Sequence, residues 1–423
     1  MKSVLEDNRT KQQGINYPWI LVALLWGVAL MNYMDRQMFA TMRPSMQINI
    51  HDLEQAANFG RLMAVFLWIY GLMSPISGMI ADKMNRKWII ICSLLVGSLV
   101  DFSLGFATNY NQVYALRSIM GISEALYIPS GLSLIADYHD SKTKSFAIGV
   151  HMTGIYMGQA LGGFGATFAK LYSWQTAFHV FGLIGMGYAV VLFFFLKEKR
   201  NQKTSDVIAL DTSGKPNSIF NVFPHLFSNF SFLILLLYFA IPSLPGWAIK
   251  NWLPTLFSTN LKIEMSQAAP IATITIALSS LIGVLVGGKF SDKWVQKNFK
   301  ARIYIGFIGL SLMVPSLVLL GYGHSVFSFI SAAFCFGIGF GLFDANNMPI
   351  LCQFVSKKYR ATAYGLMNMT GVFAGAFITN LLGKSTDAGN LGNGFAMLSI
   401  IVVVVALLAV SFLKPKMIDY SEQ

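Results

Sequence analysis

The sequence predicts an all-α membrane protein of twelve transmembrane helices arranged as two six-helix bundles. Three observations predict it. Hydrophobic residues make up 55% of the 423 residues and charged residues only 12%, about half the charge of an ordinary soluble chain. Apolar runs of roughly 20 residues, long enough to cross the hydrocarbon as a helix, recur along the whole length. One motif occurs twice. Gly78-Met-Ile-Ala-Asp82-Lys83-Met-Asn-Arg86-Lys87 follows the second run of the first half, and Gly288-Lys-Phe-Ser-Asp292-Lys293 follows the second run of the second half, 210 residues later.

In the first half the expected spans are 19–42, 58–81, 87–107, 110–136, 143–169 and 174–196. In the second half they are 227–255, 267–290, 302–321, 324–352, 361–382 and 393–413. Runs this long satisfy their backbone internally only as helices. The chain therefore divides into an N-tail (1–18), a first bundle (19–196), a linker (197–226), a second bundle (227–414) and a C-tail (415–423). The linker is rich in Lys, Asn, Asp, Ser and Pro, with room for a short amphipathic helix but no soluble domain.

The net charge of +12 does not point to nucleic acid. The tails and every second loop hold 23 Lys or Arg, and the alternate loops only Arg43, Lys170, Lys262 and Lys384. This positive-inside bias places both termini in the cytoplasm, with the chain in the cell (inner) membrane. Residues 1–18 contain Asn8, Arg9, Lys11 and Gln12 and no apolar core, so they are not a secretory signal. Cys92, Cys335 and Cys352 show no paired spacing, and neither a disulfide framework nor a metal site is expected.

Ionisable residues inside spans are costly and usually face a cavity or a partner. Span one carries Asp35 and Arg36, span three Asp101, span four Arg117 and Glu124, span seven Lys250 and span ten Asp344. Arg117 and Glu124 stand seven apart, nearly two turns, so they share one face roughly 10 Å apart along the axis. A substrate or proton fits between them, or Asp35 and Arg36 reach in from span one. Arg presents a fork suited to a carboxylate. The alternative is a fixed ion-pair network stapling spans one and four. Asp101 is open between a helix edge and a pocket, and Lys250 between the cavity and an outward reach.

Between Tyr238 and Thr255, span seven contains Pro242, Pro245, Gly246 and Pro254, which would interrupt the helix and expose backbone to a cavity. Tyr238, Ser243, Trp247 and Asn251 supply hydrogen bonds or an apolar platform there. Span ten places Asp344, Asn346 and Asn347 within four positions. The two asparagines diverge by about 100° around the helix, so one serves the cavity and the other a neighbouring helix. Asn368 in span eleven, and Tyr156 and Gln159 in span five, are further cavity candidates. His151 reads as structural. The glycines of spans five and eleven allow close packing, whether static or sliding. Asp82 and Arg86, and Asp292 with Lys293, read as gating residues at cytoplasmic helix junctions, where an acid attracts a helix N-terminus or an arginine.

The pattern Gly78-x-x-x-Asp82-Lys-x-x-Arg86-Lys87, with twelve spans and a central basic loop, resembles the major facilitator superfamily over about residues 17–415. Within it, Asn32-Tyr33-x-Asp35-Arg36, Arg117-x-x-x-Gly121-x-x-Glu124-Ala125 with Pro129, and Trp252-Leu-Pro254-Thr255 resemble the anion:cation symporter family. That resemblance implies Asp35 and Glu124 in proton coupling, Arg36 and Arg117 in the anion site, and transport of a sugar acid such as a hexuronate or aldonate. Ile135-Ala136-Asp137 is also similar to the spinster-like lipid transporters, and the stretch Leu126-Tyr-Ile-Pro129 departs from the small residues usual in the symporters. The expectation is a proton-coupled, alternating-access transporter of a small organic anion. It would work as a monomer among membrane lipids, without cofactor, enzymatic activity or nucleic acid. Export or flipping of an amphipathic lipid or drug-like compound is the alternative.

Overall fold

Each apolar run of the sequence becomes a helix in the structure, a computed structural model. It describes residues 17–139, 143–198, 227, 230–355 and 360–413, with the backbone alone for 82, 83, 145, 360 and 361. The N-tail to residue 16, the C-tail from 414, and nearly all of the linker with its expected amphipathic helix lie outside the described residues.

The first half contains α1 (Tyr17–Thr41), α2 (Ala56–Lys83), α3 (Arg86–Leu104), α4 (Tyr110–Ala125 continued by Tyr127–Tyr138), α5 (Lys144–Gly162 continued by Gly165–Leu171) and α6 (Trp174–Phe195). The second contains α7 (Phe230–Leu261), α8 (Met265–Val295), α9 (Ala301–Tyr322), α10 (Val326–Asp344 continued by Asn347–Phe354), α11 (Arg360–Asp387) and α12 (Leu391–Phe412). Eleven are long and apolar enough to cross a membrane. The remaining one, α5, is broken at Gly163 and Phe164 and carries the polar residues His151, Thr153 and Gln159.

Packing repeats between the halves. In the first, α1 lies on α5, α2 on α4, and α3 on α6; in the second, α7 lies on α11, α8 on α10, and α9 on α12. The halves meet through α2 with α11 and α5 with α8, pairs that exchange under the same correspondence. Glycine makes the α1–α5 seam possible. A Cβ at Gly158 would overlap the Leu30 carbonyl, and one at Gly162 the Met34 carbonyl, so backbone meets backbone.

Two breaks matter for the site. α4 breaks at Leu126, two residues after Glu124, and α10 breaks at Ala345 and Asn346, directly after Asp344. The sequence at both is acid-Ala-x-x-x-Pro, Glu124 to Pro129 and Asp344 to Pro349. Proline has no N–H to give and its ring crowds the preceding turn, so the acid is left at the end of a helical piece.

α7 corrects an expectation. It is one continuous helix of 32 residues with Pro242, Pro245 and Pro254 inside it. At Pro254 another helix supplies the lost backbone donor, while the Ser243 hydroxyl adds a bond within α7. The Ser243 hydroxyl donates to the Phe239 carbonyl at 2.7 Å. Pro254 leaves the Lys250 carbonyl without its intrahelical donor, and Gln37 Nε2 of α1 donates to it at 3.0 Å.

Candidate substrate and coupling site

Arg36 and Glu124 meet where α1 faces the break in α4. Arg36 Nε donates to Glu124 Oε2 at 2.5 Å. Both side chains are largely buried, at 12% and 4% exposure. The Arg36 guanidinium lies 4.7 Å from the ring centres of Tyr33, Phe66 and Tyr70, an aromatic wall that fixes a cation by its negative ring faces. Arg117 is buried on the other side of Phe66, 4.6 Å from that ring and 4.3 Å from Phe39. One phenyl ring thus sits beside both guanidiniums and holds them in place. Arg117 Nη1 donates to Met120 Sδ at 3.1 Å, and its Nε has no acceptor among the described residues.

Asp35 turns from Arg36 toward α3. Its carboxyl is in hydrogen-bonding contact with that of Asp101, and both residues are buried. Asp101 therefore occupies a pocket.

The second half presents a counterpart. Lys250 faces Asp344 across the gap between α7 and α10. Lys250 Nζ lies 4.9 Å from the Trp247 ring centre and 5.7 Å from that of Phe340. Asn347 Nδ2 donates to Asp344 Oδ1 at 2.9 Å, while Asn347 Oδ1 is buried without a donor among the described residues. Tyr156 of α5 stands close enough to feel the charge of Asp344 across the halves. Gln37, Gln159, Lys250 and Thr273 line a small pocket where α1, α5, α7 and α8 converge.

Not every polar candidate reaches this region. Tyr238 is buried in the second half against Phe239 and Phe343. Asn346 accepts from Ser291 Oγ at 2.5 Å and donates to the Leu342 carbonyl at 2.9 Å, which ties α10 to α8. Asn251 Nδ2 donates to Thr379 Oγ1 at 2.8 Å and joins α7 to α11. Asn368 Nδ2 donates across the halves to Ser74 Oγ at 2.9 Å. His151 is hydrogen-bonded to the Tyr127 hydroxyl at 2.7 Å, which itself donates to the Leu25 carbonyl, a structural chain.

At the near end, where α1 begins and α12 finishes, Arg86 pairs with Asp137 of α4 and donates to the Ala81 carbonyl. The Asp82 side chain lies outside the described residues. Asp292 accepts from Arg302 at 3.1 Å, and Lys293 is exposed. These ion pairs stay within one half. The bonds between halves include Gln37 to Lys250, Asn368 to Ser74, Thr273 Oγ1 to the Ala160 carbonyl at 3.1 Å, and Thr167 Oγ1 to the Ser266 carbonyl at 2.8 Å. The Asp387 carboxylate accepts from the N–H groups of Ala56 and Ala57 at 2.6 and 2.8 Å, and Lys170 pairs with Glu264. Most of these bonds lie in the half of the bundle opposite the termini, and among the described residues none lies at the near end.

The family model described as the Major Facilitator Superfamily matches residues 25–379. The chain belongs to this superfamily. As a Major Facilitator Superfamily protein it is a multi-pass membrane transporter, not an enzyme. The hexuronate transporter of Bacillus subtilis (strain 168) is 22% identical to it over 388 residues, 85% of this chain and 90% of that one. The gallate transporter of Pseudomonas putida is 26% identical over 402 residues, 89% and 87% of the two chains. Both names are those of organic-acid carriers, in keeping with the resemblance to the anion:cation symporter family. The crystal structure of a bacterial homologue of the human lysosomal transporter Spinster, inward-facing and unoccupied, matches with a TM-score of 0.76 at 18% identity, covering 93% of this chain and 96% of that one. At that identity the likeness is one of fold.

Several residues of the site escaped sequence reasoning. Phe39, Phe66, Tyr70, Gln37 and Asp387 belong to none of the motifs singled out in the sequence. The repeated acid-Ala-x-x-x-Pro was the available signal for the paired breaks. The spacing of Pro254 from Lys250 was the signal for Gln37.

Proposed function

We propose that this transporter couples the uptake of a hydroxylated organic anion, a sugar acid such as a hexuronate or aldonate, to the entry of protons. The observation that carries this reading is Arg36. It is a nearly buried arginine whose carboxylate partner sits at a helix break and whose face is held by three rings. Nε is engaged by Glu124, and the remaining guanidinium N–H groups suit a substrate carboxylate. Lys250, Asp344, Asn347, Gln159 and Tyr156 offer donors and acceptors from the other side, which suits hydroxyl groups.

The relatives support the same chemistry. Hexuronate and gallate share a carboxylate and several hydroxyls, although one is a sugar acid and the other aromatic. In this reading both termini are cytoplasmic, the bonded far half faces outward, and the described contacts correspond to a carrier closed outside. Asp82, Arg86, Asp292 and Lys293 gate the cytoplasmic end. Loss of the far-half bonds would expose the Arg36 region to the other side, as alternating access requires.

The test is uptake of a labelled panel of hexuronates, aldonates and hydroxybenzoates into liposomes holding the purified protein, with and without an inward proton gradient. Gradient-driven accumulation of one acid, abolished in Glu124→Gln, is the expected result. Accumulation that ignores the gradient overturns the coupling. No transport of any acid by folded protein overturns the substrate class and makes amphipathic lipids the next panel.

A further inference from the structure

In the state described here Glu124 is bonded to Arg36, and a proton carrier needs a carboxyl that a proton can occupy. Asp35 and Asp101, which bond no arginine or lysine among the described residues, lie between α1 and α3. We propose that Asp101 completes a carboxyl pair with Asp35 and that this pair, more than Glu124, holds the coupled proton. The proposal rests on the proton-coupled reading above and adds a residue to it.

The geometry has three parts. First, the two carboxyls are within hydrogen-bonding contact, yet each leaves a buried oxygen, Oδ1, without a donor. Carboxylates have only acceptors, so a bond between them needs a proton on one. Two adjacent buried carboxyls cannot both ionise without strong repulsion, and the pair titrates as a unit.

Second, the charges balance only with that proton. Asp35, Asp101 and Glu124 are three acids, and Arg36 and Arg117 are the two bases near them. Arg36 is bonded to Glu124. Arg117, held between Phe39 and Phe66, offsets one charge of the pair. One proton shared by Asp35 and Asp101 neutralises the other.

Third, among the described residues no other base reaches in from the surrounding helices. From α6, His179 is bonded to the Phe102 carbonyl at 3.2 Å and the Tyr188 hydroxyl to the Leu24 carbonyl at 2.9 Å. From α5, His151 is bonded to Tyr127, and Tyr156 is turned toward Asp344 and Tyr33. From α7, Lys250 faces Asp344. From α4 the charged groups are Arg117 and Glu124 themselves.

The step conserves charge. With the proton between Asp35 and Asp101, the cluster is neutral and Arg36 can take the substrate carboxylate. When the site opens to the side of low proton activity, the proton passes to cavity water. The pair then carries an added negative charge that competes with the substrate for Arg36 and Arg117, and the anion leaves.

The test compares wild type, Asp101→Asn and Asp101→Glu in detergent. Proton uptake on substrate binding is followed with a pH indicator in weak buffer, and the protonated-carboxyl stretch by infrared titration. Wild type should take up a proton with the anion and show a protonated-carboxyl band near neutral pH. Asp101→Asn should lose both the uptake and most of that band, and its substrate affinity should become nearly independent of pH. Asp101→Glu should restore part of each. A residue needed only for packing would not move the band or the pH profile in this way.

Wild-type proton uptake with an unchanged profile and band in Asp101→Asn overturns this proposal and leaves the coupled function standing. A wild type that binds anion without any proton overturns both. If Asp101→Asn does not fold, the wild-type titration decides, because the absence of a protonated-carboxyl band near neutral pH contradicts a shared proton.

Discussion

Gln37 donates to the backbone carbonyl of Lys250 at 3.0 Å, and that carbonyl is free because Pro254 stands one turn later in α7. A proline in one half has thus created the acceptor that the other half uses. The bond contributes only while the halves are together in this region, so it favours the state described here.

Replacing Gln37 by Leu should weaken that closure by about 1 kcal/mol, the usual net worth of such a bond, and shift the ratio of closed to open far half about fivefold. Pro254→Ala should act in the same direction, because it returns an N–H to the Lys250 carbonyl. Distances between spin labels on α2 and α11, measured by pulsed resonance, should show a longer population in both variants. Unchanged distributions in both would contradict this role.

The Lys170–Glu264 pair should give the closure a dependence on pH and salt. The hydrogen bond from Lys170 comes first, with help from Ser266, and holds the Glu264 carboxyl below its ordinary value of 4.5. A depressed carboxyl pKa adds stability that is complete above the ordinary value and is lost as the pH falls through the depressed one. Both side chains are more than half exposed, so the effect is small and screened by salt. The same label distances should lengthen slightly in acid below pH 4.5 or in high salt, and Lys170→Gln should remove that part of the response.

Arg36→Lys keeps the charge and loses the plane. Lysine cannot lie against Tyr33, Phe66 and Tyr70 while bonding Glu124 and a substrate carboxylate together. Substrate affinity by calorimetry should fall by about tenfold to a hundredfold, on the scale of one or two charged hydrogen bonds. Full affinity in this variant would remove Arg36 from the anion site.

Gly158→Val should unfold at lower temperature. Its side chain would meet the Leu30 carbonyl, which belongs to helix backbone and cannot swing away. Overpacking of this kind costs about 1–3 kcal/mol. Gly149, whose Cβ would meet nothing within 4 Å, provides the control, and Gly149→Ala should melt like wild type.

The helices were legible in the sequence because apolar length is a one-dimensional property. Every expected span has its helix, with α7 and α11 running several residues further at the far end. The Arg36–Glu124 meeting was one of two arrangements left open, since spacing on α4 gives only the separation of Arg117 and Glu124 along one helix. What stayed hidden depends on which face of one helix meets which face of another. Asp101 could be placed beside Asp35 only once α3 was set against α1. The polar run in α10 was readable as inward-facing, yet its division between Asn347 at the site and Asn346 in the packing needed the break after Asp344. The prolines of α7 misled in a specific way. They promised a broken helix, but α7 stays continuous, and Gln37 supplies a donor where Pro254 has none.

The far-end seam between α2 and α11 has a consequence for the speed of opening. Gly60 lies against the Thr379 carbonyl and Gly383, and Gly383 against the Ala56 carbonyl, beside the Asp387 carboxylate. Parting these surfaces uncovers peptide groups and a charge, which water hydrates, together with the Trp252 ring that lies beside Gly60. The barrier there should come mostly from breaking a few directional bonds. Such a seam can open and reseal many times, because the fit of glycine against backbone is restored whenever the two surfaces meet.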